Sequence, residues 1–277
     1  MPQYQKNAAA INGATRIFAL AGNPVAHSLS PVFWNAALRY SEINAVYVPF
    51  KVDEDNVTKA FDGLEALNVC GCNVTRPLKR KVAEYCRFLH GAAIATGAVN
   101  TVKFGATGCE GWNTDATGLQ RILSRLNTPK GGALVLGNGA SAQTALWALT
   151  AENFSQVFQI ARNFAPKKES GKNVIELNWK DKNFAYAIKE SDIIINTTPL
   201  GWSPEDFLPE FDKYLEKKQT FVDFNYASAS KLIASAHQVG CTVIDGRELL
   251  LEQGLESFEL LTGVKAPVEV IRSCIYS

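Results

Sequence analysis

The chain has 277 residues, 47% hydrophobic and 20% charged, enough apolar surface for one large core or two modest ones and unlike a disordered, collagen-like or coiled-coil chain. Lys and Arg total 28 against 27 Asp and Glu, and a net charge of +1 gives no general electrostatic reason to bind nucleic acid or an acidic membrane. No apolar run has the length of a membrane span, and the N-terminal MPQYQKNAAAINGATR lacks the apolar core of a secretory signal and reads as a polar, mobile tail.

In chain order, Ile17–Ala21 predicts a strand, Gly22-Asn23-Pro24 breaks it, and Val32–Leu38 has helical spacing. Ala45–Phe50 alternates as a strand, Val57–Leu67 is an amphipathic helix, Cys70–Val74 a short strand and Leu78–Leu89 a helix. Strands separated by helices predict βαβ units and a parallel sheet. The texture restarts near Lys130. Ala133–Leu136 is a buried-type strand that runs into Gly137-Asn138-Gly139-Ala140-Ser141-Ala142. A helix over Ser141–Thr150 and a strand at Val157–Ile160 follow. Asp192–Asn196, Thr220–Asp223 and Val243–Ile244 are further strands, and Leu249–Leu261 and Ala266–Ile275 close the chain as helices. The expected fold class is α/β, in two α/β domains joined by helix between Asp115 and Lys130, with the last helices packing back on the first domain. Six cysteines, at 70, 72, 86, 109, 241 and 274, form no CxxC pair, and the three His complete no zinc pattern. They read as structural thiols in a reducing cytoplasm, with no metal site.

Gly137-x-Gly139-x-x-Ala142 follows a strand and opens a helix, the context that a dinucleotide fingerprint requires. The first Gly permits the tight turn, the second lets a pyrophosphate approach the backbone, and the small third residue lets helix and strand pack closely. Free N–H groups at the helix start attract phosphates. The second strand ends in Ile160-Ala161-Arg162-Asn163, with Lys167 and Lys168 beyond and no carboxylate. An Arg there suits the 2′-phosphate of NADP through bidentate, charge-assisted bonding, where an acidic residue would favour NAD.

Four polar clusters end apolar runs in the first half: His27-Ser28-Leu29-Ser30-Pro31, Asn73-Val74-Thr75-Arg76-Pro77-Leu78-Lys79, Gly97-Ala98-Val99-Asn100-Thr101 and Asn113-Thr114-Asp115. A fifth, Glu252-Gln253-Gly254, lies near the C-terminus. Taken singly, each has a plain structural explanation, such as Ser30-Pro31 starting a helix or Thr75 and Thr114 closing turns. Together they supply hydroxyls, amides, one ammonium and one carboxylate, a set able to grip a small polyhydroxylated anion and move a proton.

The order and spacing of these motifs resemble the shikimate dehydrogenase family from about Gly22 to Gly263. Besides HSLSP, NVTRPLK, GAVNT and GWNTD they include Asn196-Thr197-Thr198-Pro199-Leu200-Gly201, Asp223-x-x-Tyr226 and Glu252-Gln253-Gly254. The resemblance implies NADP-dependent, reversible reduction of 3-dehydroshikimate to shikimate, a step of aromatic amino acid and chorismate biosynthesis. It implies a substrate domain of residues 1–115 plus 247–277, a Rossmann-type NADP domain of 116–246, and a site in the cleft between them that closes on its ligands. Lys79 and Asp115 would be the catalytic pair. Ser28 and Ser30 would bind the substrate carboxylate with Tyr226 near it, and Thr75, Asn100 and Gln253 the ring hydroxyls. Gly137, Asn138, Gly139, Ala140, Ser141, Ala142, Arg162 and Asn163 would hold NADP, with Thr197, Thr198, Pro199, Gly201 and Trp202 near the nicotinamide half. Partners would be small molecules alone, and the state a monomer or homodimer.

Some positions depart from the family's usual residues. Trp34 replaces a common His, Trp202 and Leu250 replace Met, Ala116 replaces Gly, and Ala227-Ser228 replace Asn-Pro after Tyr226. Asn138 and Ala140 vary the glycine loop. A bulky Trp at the pocket edge would change which ring substituents fit, so quinate/shikimate and aminoshikimate-type paralogues stay open. A non-catalytic sensor of the same fold has no need of both Lys79 and Asp115. A methylene-tetrahydrofolate dehydrogenase does not account for HSLSP, NVTRPLK and Gln253.

Overall fold

The computed structural model describes residues 11–162, 174–180, 182–201, 211–226 and 230–277. Residues 1–10 of the expected tail, Asn163, Lys167, Lys168, Trp202, Ala227 and Ser228 lie outside the described residues. Contacts divide the chain into two compact units, Met1–Asp115 with Leu250–Ser277, and Ala116–Leu249.

The first unit contains β1 (Arg16–Gly22), α1 (Ser30–Tyr40), β2 (Ala45–Lys51), α2 (Val57–Ala66), β3 (Gly71–Val74), α3 (Lys79–Tyr85), β4 (Phe88–Leu89), α4 (Ala92–Thr96), β5 (Thr101–Gly105) and β6 (Gly108–Trp112). Helix α5 (Thr114–Arg125) begins at its end. Its six strands are ordered β2-β1-β3-β5-β6-β4. The alternation of β1 sets the layers. Ala19 and Ala21 join Phe61, Leu64 and Val82 on one face, and Phe18 and Leu20 join Phe33, Trp34, Leu251, Phe258 and Ile271 on the other.

This sheet corrects the expectation of a purely parallel one. β1 pairs in parallel with β2 and β3, but β3 with β5 and β5 with β6 run antiparallel. For β5 and β6 the cause is the short Gly105-Ala106-Thr107-Gly108 connection, because a hairpin can join only antiparallel neighbours. Lys103–Trp112 holds three glycines, so it reads as loop rather than as alternating strand. The helix expected over Leu78–Leu89 stops at Tyr85, and Phe88–Leu89 becomes an edge strand parallel to β6.

The second unit contains β7 (Gly132–Leu136), α6 (Ala140–Ala151), β8 (Gln156–Ala161), β9 (Val174–Asn178), α7 (Phe184–Lys189), β10 (Ile193–Asn196), α8 (Phe211–Tyr214), β11 (Thr220–Asp223), α9 (Lys231–Val239) and β12 (Thr242–Ile244). The chain closes with α10 (Gly246–Thr262) and α11 (Val268–Tyr276). The strand order is β12-β11-β10-β7-β8-β9, and every pairing is parallel. Both faces are covered, Ala133 and Val135 packing with Ala142, Ala145 and Leu149, and Leu134 and Leu136 with Ala187, Phe221 and Leu232. A continuous apolar strand such as ALVL is what burial on both faces demands.

Candidate active site

In the first unit the sheet register brings four of the sequence clusters to one edge. Ala21 pairs with Val74 in parallel, Asn73 with Thr101 and Thr101 with Trp112 antiparallel. The segments after β1, β3 and β6 and the one before β5 therefore emerge on the same side. Those segments carry Ser28 and Ser30, Thr75 and Lys79, Asp115, and Asn100 respectively.

Lys79 is the first residue of α3 and Asp115 lies in the first turn of α5. The Lys79 ammonium donates to Asp115 Oδ2, with the two side chains 14% and 13% exposed. A charge pair this dry interacts more strongly than one on the surface, yet a small reactant can still reach it. The carbonyl of Lys79 accepts from the Val99 N–H at 3.0 Å, tying α3 to the Asn100 segment.

Behind the pair lies a network of amides and hydroxyls. Asn100 is 3% exposed; its Oδ1 accepts from the Thr114 N–H at 2.7 Å, and its Nδ2 donates to Thr114 Oγ1 at 2.9 Å and to Gln253 Oε1 at 3.5 Å. Asn73 Nδ2 donates to Thr101 Oγ1 at 3.1 Å, and Asn73 Oδ1 accepts from the Tyr47 hydroxyl at 2.9 Å. Burial pushes the Tyr47 phenol well above its ordinary pKa, which keeps it a neutral donor. Gln253, on α10, anchors its Nε2 to the Leu250 carbonyl at 2.8 Å. Ser28 Oγ accepts from the Ser30 N–H at 3.2 Å at the start of α1, and the Thr75 N–H donates to the Ala21 carbonyl at 2.9 Å.

Trp34 answers the concern about a bulky pocket edge. It is 1% exposed, stacks on Tyr47 at 4.8 Å between centroids and packs against Phe258 and Phe18. It belongs to the core behind the site. Through Tyr47 it supports Asn73.

In the second unit, Gly137 follows β7 and Gly139 precedes α6. Gly137 has φ +117°, and a Cβ there would lie 2.6 Å from Thr197 Oγ1, so only glycine fits. The Gly137 N–H donates to the Ile160 carbonyl at 2.8 Å, and the Thr197 hydroxyl donates to the Leu136 carbonyl at 2.6 Å. The glycine loop, Arg162 after β8 and Thr197–Thr198 after β10 thus share the carboxyl edge of one parallel sheet, where the order reverses on either side of β7. Arg162 is exposed, Ala142 is fully buried against the sheet, and Pro199 is the exposed tip of its turn. Nothing lies within 4 Å of a Cβ built on Gly139, so the mouth of the loop is open to a phosphate.

Several supporting residues escaped sequence reasoning. Gln159, fully buried on β8, donates Nε2 to the Gly137 carbonyl at 2.8 Å, and its Oε1 is the one buried side-chain polar atom without a partner among the described residues. A lone Gln in an apolar strand was its signal. Asp223 and Asn225, behind the 197–201 turn, were visible only as part of Asp223-x-x-Tyr226. Burial raises the Asp223 pKa to about 7, against the lowering effect of bonds from Asn225, Asn196 and Ser230. Tyr226 follows directly, in the second unit, half-buried.

A parallel sheet with its glycine loop at a helix start, and a sheet edge carrying a drained ammonium–carboxylate pair backed by amides, are the parts of a dinucleotide-dependent oxidoreductase. The model of the "shikimate dehydrogenase substrate binding domain" matches residues 20–102, and that of the "shikimate 5'-dehydrogenase C-terminal domain" matches residues 246–273. A Desulforamulus reducens protein named shikimate dehydrogenase (NADP(+)) is 34% identical over 96% of this chain and 96% of its own. The crystal structure of shikimate dehydrogenase from Aquifex aeolicus superposes with a TM-score of 0.87 at 33% identity, covering 97% of this chain and all of that one. That of Listeria monocytogenes shikimate 5-dehydrogenase, in complex with shikimate and NAD, has a TM-score of 0.82 at 26% identity, covering 97% of this chain and 99% of that one. The chain belongs to the shikimate dehydrogenase family.

Proposed function

We propose that the protein is an NADP-dependent shikimate dehydrogenase, reducing 3-dehydroshikimate reversibly to shikimate, with Lys79 and Asp115 as its proton-handling pair. The observation that carries this reading is the direct bond between the Lys79 ammonium and the Asp115 carboxylate, at a sheet edge lined with neutral donors and acceptors. The second unit fits a dinucleotide. A Cβ built on Gly139 meets nothing within 4 Å, which leaves its glycine loop open to a phosphate, and the exposed Arg162 just after β8 supports a contact to a 2′-phosphate.

When bound, NADPH supplies the hydride. The chain's own work is to place the substrate and to manage charge on oxygen. Ser28 and Ser30 offer hydroxyls to the substrate carboxylate, with Tyr226 assigned to the same end, and Thr75, Asn100 and Gln253 offer donors and acceptors to ring hydroxyls. In the reduction direction, negative charge develops on the carbonyl oxygen, and the Lys79 ammonium both stabilises it and delivers the proton. Asp115 orients the ammonium and contacts the same hydroxyl region. In the reverse direction Lys79 takes the proton back. The six free thiols and the balanced charge support a cytoplasmic enzyme, and no helix among the described residues is long and apolar enough to cross a membrane.

The test is a panel of shikimate, quinate and an aminoshikimate, each offered with NADP and with NAD, followed by absorbance of the reduced cofactor. Fastest turnover with shikimate and NADP is expected. Preference for quinate, for an aminoshikimate or for NAD would replace this reading by that of a paralogue.

A further inference from the structure

We propose that Asp223 and Asn225 are positioning residues for the cofactor. With Asn196 they hold the 197–201 turn in the shape that receives the nicotinamide half of NADP. This rests on the NADP reading above.

The turn owes its form to side chains more than to its own backbone. Asn196 Oδ1 accepts from the Thr198 N–H at 3.1 Å and from the Thr198 hydroxyl at 2.7 Å, while Asn196 Nδ2 donates to the Leu200 carbonyl at 2.9 Å. From the far side, Asn225 Nδ2 donates to the Thr198 carbonyl at 2.9 Å and to the Leu200 carbonyl at 3.1 Å. The two amides are fixed in turn by a single atom. Asp223 Oδ1 accepts from Asn196 Nδ2 at 3.0 Å, from Asn225 Nδ2 at 3.0 Å and from the Asn225 N–H at 2.9 Å. Asp223 Oδ2 faces the Ser230 hydroxyl at 3.5 Å, and the Ser230 hydroxyl accepts from the Ile233 N–H at the start of α9.

These groups are costly for a purely architectural purpose. Asn196 and Asp223 are fully buried and Asn225 is 6% exposed, and every group bonded to the Asp223 carboxylate is neutral. Apolar side chains of similar size would fill the same space without desolvating a carboxylate. What they could not do is aim two turn carbonyls inward and fix Thr198 by three bonds. Gly201 closes the turn at φ +88°, where a Cβ would collide with the Ser230 hydroxyl, so the last residue is clamped as well. The clamp reaches the glycine loop, because Thr197 and Thr198 are the side chains that a Cβ on Gly137 would strike. A turn that slips therefore disturbs both cofactor segments.

The test uses the full-length enzyme. Asn225→Ala removes the two bonds from Asn225 to the turn and leaves the strand ladder intact, whereas Asp223→Asn keeps an oxygen acceptor at the hub. NADP affinity is measured by calorimetry, and the KM values for NADP and shikimate with kcat by steady state, with circular dichroism to verify folding. Asn225→Ala is expected to raise the NADP Kd about tenfold, the factor by which the receptive turn is depopulated, with the shikimate KM within about twofold of the parent. Asp223→Asn is expected to stay within about threefold on every constant, since its oxygen still accepts from both amides. A folded Asn225→Ala with the parental NADP Kd, or with both KM values raised alike, overturns the proposal. Should the alanine variant not fold, Asn225→Ser is read by the same criteria. Hydrogen exchange at 198–201 in the parent separates the two readings. No slowing by NADP overturns the assignment of the turn to the cofactor, whereas slowing combined with an unchanged variant affinity overturns only the clamp.

Discussion

Removing either member of the Lys79–Asp115 pair tests the proposed chemistry most directly. A positioned acid–base group contributes about 10²- to 10⁴-fold, or roughly 3–5 kcal/mol of transition-state stabilisation, so Lys79→Ala is expected to lower kcat by that factor. Because the Asp115 carboxylate is 13% exposed and bonded to Lys79, removing the ammonium also strands a mostly buried charge, at a stability cost of about 1–3 kcal/mol. Asp115→Asn keeps the shape and loses the charge, so its stability should fall less than its kcat. The decisive measurement is the double variant. Two groups that act as one device lose their effect together, so Lys79→Ala with Asp115→Asn should be no slower than about threefold below the worse single variant. Single-turnover rates with shikimate and saturating NADP report the chemical step free of product release, and denaturant melts report stability. Multiplying losses would show that the two side chains act independently. A single variant with near-parental kcat would end the mechanism.

Arg162→Ala should raise the NADP KM about 10- to 100-fold with little change for NAD, the loss of one charge-assisted contact; equal losses for both cofactors would remove Arg162 from the 2′-phosphate. Trp34→Ala deletes a core side chain that is 1% exposed and should cost about 3–5 kcal/mol in urea unfolding, while Trp34→Phe should leave the shikimate KM nearly parental. A large KM change in the Phe variant would return Trp34 to the pocket. Burial raises Asp223 to about 7, so between roughly pH 4 and 7 the folded protein keeps a proton that the unfolded chain releases. Its contribution is present at low pH, is lost as pH rises across that window, and levels off above it. Relative to Asp223→Asn, the parent should lose up to about 4 kcal/mol from pH 4 to pH 8, and parallel stability–pH curves would contradict the assignment.

The second unit was the more legible in sequence. Strands buried on both faces read as apolar runs, and β7, β8, β10, β11 and β12 all lie where ALVL, VFQI, DIIIN, TFVD and VI predict them. The first unit hid its hairpin, because Gly105, Gly108 and Gly111 break the alternation that marks a strand and the pairing itself supplies the order. The site divides the same way. Lys79, Asp115 and Asn100 sit in motifs whose composition announces chemistry. Gln159 and Asn225 carry no such mark, for their importance lies in which carbonyl they bond. Trp34 is the converse case, an unusual residue beside a motif whose rings pack as core.

The groups joined at the edge of the first sheet differ sharply in what they can do near neutral pH. Asn73, Asn100 and Gln253 are amides, and Thr101 and Thr114 are hydroxyls, none of which gains or loses a proton there. Bonded to one another, they have their donor and acceptor directions fixed, as Asn100 shows with Oδ1 on the Thr114 N–H and Nδ2 on its hydroxyl. On the proposed reading, such a network would orient a polyol without competing for its protons. Lys79 and Asp115 are the charged pair at the same edge, an ammonium bonded to a carboxylate. Converting Asn100 to Asp would add a second titratable group beside Thr114 and lose the Nδ2 donor. The expected result is a raised shikimate KM and a new step in the kcat/KM–pH profile, with the NADP KM unchanged. A profile identical to the parent's would mean that Asn100 does not belong to the substrate's hydrogen-bond frame.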